Sequence, residues 1–104
     1  MPELADLEKR IERLSAQAGS RPDPAMLAEI EATLSEGYAR ALTAEGRMRQ
    51  LDRRLQVLLE ALKPGDAAEI RSITRERQQL ARRVEDLRAR LAVLRDGFRA
   101  LQQI

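Results

Sequence analysis

Apolar residues recur at alternating spacings of three and four along two long stretches of the chain. In the first, Leu27, Leu34, Ala41, Met48, Leu55 and Leu62 hold one register, with Ile30, Gly37, Ala44, Leu51 and Leu58 placed three residues after the first five. In the second, Ile70, Arg77, Val84, Leu91 and Phe98 alternate with Ile73, Leu80, Leu87, Leu94 and Leu101. A stripe repeated in this way stays on one side of a helix, so each stretch predicts a long helix with a seam for a neighbour. Between them stands Lys63-Pro64-Gly65-Asp66, where proline and glycine together stop a helix and allow reversal. The expected fold class is therefore all-α: a long antiparallel helical hairpin, a coiled coil. Folding about the turn brings Leu55 to Ile73, Met48 to Leu80, Ala41 to Leu87, Leu34 to Leu94 and Leu27 to Leu101, and sets Leu62 near Asp66. All but the last pairing set one apolar seam residue against another, the agreement expected of a sequence with one preferred fold.

A shorter pattern, Leu4, Leu7, Ile11, Leu14 and Ala18, precedes the arms and predicts a first helix over about residues 3–18, stopped by Gly19. Residues 19–23 read as a linker. Asp23 before Pro24 is an N-cap followed by proline at the first helical position, which starts a second helix over about 24–62. A turn at 63–66 leads to a third helix over about 66–102, with Asp66 and Glu69 spaced as in a capping box. At about 1.5 Å per residue the arms approach 60 Å, while the first helix measures roughly 24 Å. It can cover only part of them, so a three-helix base within a single helical domain, residues 1–104, is expected.

Charge changes this picture along the flanks of the seam. Arg54 with Glu76 and Glu45 with Arg88 are predicted as ordinary opposite pairs, whereas Arg40 with Arg90 and Arg47 with Arg83 would face each other as cations. This basic flank of four guanidinium groups suggests an acidic protein partner. At the seam itself Arg77 falls opposite Leu51, where its stem can lie against apolar neighbours while the head reaches water. Gly37, Ala41 and Ala44 face Leu91, Leu87 and Val84, which predicts close approach of the two arms. Residues 1–36 hold eight acids and four bases, residues 37–104 nine acids and fifteen bases, an imbalance that favours association within or between chains.

Apolar residues left off the seam point to contacts beyond the hairpin. Tyr38 and Leu42 share one side of the second helix, and Met26, Val93, Ala100 and Ile104 gather on the other side of the same end. One short helix covers one such patch, so a homodimer is expected, with Met26, Tyr38, Leu42, Val93 and Ile104 at its interface. Val57, Leu59 and Ala61, nearer the turn, also exceed what a two-stranded seam needs.

The residue types exclude several kinds of chemistry. The chain has no cysteine and no histidine, which removes thiolate and imidazole ligands, disulfides and the usual nucleophile and base pairs. No cofactor, metal site or catalytic residue is expected, and the protein reads as a non-enzyme. Only Tyr38 and Phe98 are aromatic, too few for stacking on single-stranded nucleic acid. Basic charge rests on seventeen arginines and two lysines, a bias that suggests a GC-rich, bacterial-like coding sequence, and the formal net charge is only +2. No apolar run approaches the span of a bilayer and the first residues are acidic, so the cytoplasm is the expected compartment, without membrane contact.

The functional expectation is a helical protein–protein interaction module, a homo-oligomeric coiled-coil adaptor or scaffold. Two alternatives remain beside it. Pro64, Gly65, Asp66 and Glu69 form the hairpin tip, and carboxylates at the tip of an antiparallel hairpin resemble those of Gre-type transcript cleavage factors. That resemblance implies a transcription-associated hairpin that inserts an acidic tip into a polymerase and presents Asp66 and Glu69 to its metal ion. In that family an Asn-Ala-Glu-Tyr stretch follows the acidic pair, where this chain has Ile70-Arg71-Ser72-Ile73. The other alternative is nucleic-acid binding through the arginine flank, opposed by the carboxylates interspersed along it.

Overall fold

The computed structural model describes residues 2–17 and 23–103. Three helices account for nearly all of them: α1 (Pro2–Gln17), α2 (Pro24–Glu60) and α3 (Asp66–Gln102), with no strand among the described residues. The all-α expectation holds, and α2 and α3 pack closely. The Asp23 carboxylate accepts the Met26 N–H at 2.7 Å and its carbonyl accepts the Leu27 N–H at 3.1 Å, so α2 starts on the N-cap that its sequence spells. Gly19, the expected stop of the first helix, lies outside the described residues, as does Ala18.

The far end of α2 departs from the periodicity. The helix stops at Glu60, so Leu62 leaves the seam and is 64% exposed. Its register position required a helix that Pro64 and Gly65 cut short, because the residue before proline is pushed out of helical geometry and two further residues complete the reversal. Gly65 takes φ +97°, a conformation that glycine alone adopts without cost. Asp66 then closes the turn backwards, with its carboxylate accepting the Lys63 N–H at 3.0 Å while its own N–H donates to the Lys63 carbonyl at 3.1 Å. The expected capping box is therefore absent: Asp66 serves the turn, and Glu69 pairs with Arg54.

The chain divides into two compact units, each holding a stretch of the expected seam. The first comprises Met1–Ala41 with Asp86–Ile104, and the second Leu42–Glu85. Each has its own core. In the three-helix unit Leu4, Leu7, Ile11 and Leu14 of α1 join Ile30 and Ala41 of α2 and Leu87, Leu91 and Leu94 of α3, with Met26, Leu34, Tyr38, Phe98 and Leu101 half-buried around them. In the two-helix unit Leu51, Leu58, Ile73 and Leu80 form the core, flanked by Ala44, Met48, Leu55 and Ile70. Of the pairings expected along the seam, Leu55 with Ile73, Met48 with Leu80, Ala41 with Leu87 and Leu34 with Leu94 each fall in one core.

α1 runs antiparallel to α2, because Arg10 pairs with Glu36 and Arg13 with Glu29, and Glu12 on the same helix holds Arg90 of α3. It lies over the groove between α2 and α3. Beneath it Gly37 lets α2 approach α3: a Cβ built on Gly37 would fall 2.3 Å from Leu91 Cδ2, and Leu91 is wholly buried. The expected close approach at the small residues is thus real at Gly37. Gly46, in the two-helix unit, has no such reason, since its Cβ would meet only Arg49 Nη2 at 3.7 Å.

Candidate functional site

The flank expected to be an unanswered stripe of arginines is largely neutralised. Arg90 donates to Glu12 of α1 and, at 3.0 Å, to Asp86 one turn earlier, and these two hydrogen bonds raise its pKa above the ordinary arginine value. Arg47 meets Glu76 at 3.2 Å, and Glu36 lies 3.8 Å from Arg40. Arg83 is exposed and makes no ion pair with another described residue. Arg54, expected beside Glu76, reaches Glu69 at 3.0 Å instead. A guanidinium on a flexible stem spans more than a helical turn, so Arg40, Arg47, Arg54 and Arg90 reach carboxylates displaced from the positions directly across. These pairs are exposed, and each contributes on the order of 0.2–1 kcal/mol at most. Arg77 behaves as its position suggested, holding Asp52 with its side chain partly in water.

The five residues expected at a dimer interface meet different fates. Met26 and Tyr38 pack against the three-helix core, whereas Leu42 and Val93 are each 62% exposed. Ile104 lies outside the described residues. The apolar side of α1, on which an interface including that helix would draw, is consumed within the chain: Leu4, Leu7, Ile11 and Leu14 are all buried. Val93 borders a shallow groove between α1 and α3, lined also by Ile11, Glu12, Ser15, Asp86 and Arg90. Its charged groups, Glu12, Asp86 and Arg90, are already bonded to one another.

Exposed apolar surface concentrates in the two-helix unit. Leu42, Val57, Leu59 and Leu62 of that unit stand in water, against Val93 alone among the large exposed apolar side chains of the other unit's described residues. Three of the four lie within the last turn of α2 or just beyond it, where the sequence is apolar almost all round. The same unit holds ten bases and seven acids, the other nine and ten. Its acids are largely committed: Asp52, Glu69 and Glu76 to arginines, Glu60 to Gln56, and Asp66 to the turn. Six of its nine arginines are not. Arg49, Arg53, Arg71, Arg75 and Arg82, like Arg83, are exposed and form no ion pair with another described residue.

The tip carboxylates have structural work. Asp66 fixes the Lys63 backbone and Glu69 neutralises Arg54, which accounts for both acids without a metal ion. No cluster of three metal-ligating side chains occurs among the described residues, and no described helix is long and apolar enough to cross a membrane. Sequence reasoning missed Thr33, the one buried polar side chain among the described residues. It sits a residue before the seam position Leu34, off the apolar stripe that the spacing marks. Comparison with known proteins yields no matching family model, no matching curated protein and no matching solved structure.

Proposed function

We propose that this chain is a non-enzymatic helical protein–protein interaction module, in which the three-helix unit is sealed by its own residues and the two-helix unit carries the surface that other proteins cover. One observation carries the reading: Val57, Leu59 and Leu62 are all more than half exposed around the end of α2. Burying a side chain of that size is worth about 1.5–3 kcal/mol, so a partner that covers two of them gains substantially. Self-association, the simplest form of such a role, has Leu42 of the same unit available to it.

Paired affinity capture tests the proposal, with wild-type protein and a Leu59→Glu, Leu62→Glu variant as baits in extracts of cells that carry the gene. At least one protein, a second copy of the chain included, is expected with the wild type and lost with the variant. Identical recoveries from both baits would sink it.

A further inference from the structure

We infer that the side of α3 turned away from α2 binds the phosphate backbone of a DNA duplex, a contact distinct from the one assigned to the exposed leucines of α2. Ile70, Ile73 and Leu80 pack in the two-helix core, which leaves the opposite side of α3 in water. On that side, from Arg71 to Arg83, the exposed residues are Arg71, Arg75, Arg82 and Arg83, with Ser72, Gln78 and Gln79 among them, and none is a carboxylate. Successive helical positions turn by about 100°, so Arg71, Arg75 and Arg82 stand within about 40° of one line, separated by rises of about 6 and 10.5 Å. Arg83 borders that line, and none of the four arginines forms an ion pair with another described residue.

The carboxylates of this stretch are turned the other way. Glu69 and Glu76 reach across to Arg54 and Arg47 of α2. The stripe is bounded by Asp66, which closes the turn, and by Glu85 and Asp86, the latter held by Arg90. α2 has no equivalent stripe, since Glu60 falls on the line of its exposed Arg49 and Arg53. The formal net charge of +2 is therefore a poor guide to the local field, because the signs are sorted onto opposite sides of α3.

Arginine, serine and glutamine are side chains that hydrogen-bond phosphate oxygens, and a duplex carries one negative charge per about 1.7 Å of axis. A line of cations about 17 Å long thus meets charge along its whole length. A helix about 10–12 Å across also matches the roughly 12 Å mouth of the B-form major groove, whose bordering phosphates the arginines can reach. The deep, narrow major groove of an RNA duplex refuses such a helix. A single strand calls for aromatic platforms, and this face has none. An acidic protein or an anionic bilayer would answer the charge but would find no exposed apolar side chain between Arg71 and Arg83 to bury.

Anisotropy of a fluorescein-labelled, mixed-sequence DNA duplex of about 20 base pairs, titrated with the whole chain, tests the inference. Saturable binding is expected at an ionic strength of about 0.05 M, with log K falling against log salt at a slope of about −3, as three to four neutralised phosphates require. Arg71→Glu with Arg75→Glu should weaken binding at least about tenfold, whereas the same charge change on α2, Arg49→Glu with Arg53→Glu, should weaken it less than about threefold. Arg75→Gln should make the slope shallower by about one and weaken binding alike for all sequences. Circular dichroism checks that each variant is folded. The competing ligands are an RNA duplex of the same sequence, the single strand, vesicles of phosphatidylcholine with phosphatidylserine, and polyglutamate.

No saturable binding up to about 0.1 mM protein, equal losses from the α2 and α3 pairs, or a slope untouched by Arg75→Gln would overturn the assignment. Tighter binding of any competing ligand than of the DNA duplex would overturn it as well. The leucines of α2 take no part in these measurements, so paired capture decides the interaction module separately.

Discussion

The two units of this chain are built on the same two helices and the same heptad spacing, yet they reach different depths of burial. Where α1 is present, Ile30, Leu14, Leu91 and Leu94 are wholly excluded from water. Where α2 and α3 have only each other, the best-buried residues, Leu51 and Leu58, retain 4% and 6% exposure, and Ile73 and Leu80 retain 8%. A two-helix seam has an open edge on each side, so even its central leucines lose part of their coverage. A third helix closes one edge and converts seam positions into a core. The same contrast appears in charge, because α1 supplies Glu12 to Arg90, while six arginines of the two-helix unit form no ion pair with another described residue.

Core truncation should expose this difference most strongly. Leu91→Ala is expected to cost about 3–5 kcal/mol and Leu58→Ala nearer about 2, because the partly open site around Leu58 relaxes and rehydrates more easily. Urea unfolding followed by circular dichroism measures both. Equal losses would show that α1 does not create the distinction.

The two helical glycines sharpen the comparison with opposite signs. Gly37→Ala should destabilise by about 1–3 kcal/mol, since the new methyl displaces Leu91 in a filled core, less up to about 1 kcal/mol of gained helix propensity. Gly46→Ala meets only the flexible end of Arg49 at an ordinary 3.7 Å and should stabilise by about 0.5–1 kcal/mol. Thermal melts that move the same way for both would contradict the close approach described at Gly37.

Smaller effects belong to the turn and the flanks. Gly65→Ala places a Cβ at φ +97° and should cost about 1–2 kcal/mol through backbone strain alone, read as a lowered melting temperature. Least of all, Glu76→Ala removes an exposed partner of Arg47 and should change stability by about 0.5 kcal/mol or less, with the difference fading in high salt. A large, salt-insensitive loss there would mean that the two-helix unit relies on its ion pairs in a way its exposure does not suggest.

Much of this architecture is legible in the residues because it depends on neighbours in sequence. The spacing of Leu27 through Leu101 marks both arms, Asp23-Pro24 starts α2, and Pro64-Gly65 turns the chain. Capping, proline geometry and heptad periodicity all act within a turn or two, so they survive translation into structure. The reading failed where a local pattern met a stronger local constraint, as at Leu62, whose register position is overruled by the helix stop before Pro64. It failed again at Asp66 and Glu69, which fit a capping box by spacing but serve the turn and Arg54.

The candidate surface was less legible, since exposure is a property of what lies across from a residue. Tyr38 and Leu42, four residues apart on one helix, look alike in sequence, but the first packs on the three-helix core and the second stands in water. Likewise Arg47 and Arg83 form a repulsive pair on paper, and only the reach of a flexible stem to Glu76 removes it. Sequence alone thus determined the class, the three helices and the place of reversal, because each is set by short-range backbone chemistry. Tertiary structure alone decided which flank α1 covers, which leucines remain exposed and which cations are left without carboxylates. Those outcomes depend on contacts between residues as distant as Glu12 and Arg90, which no periodicity encodes.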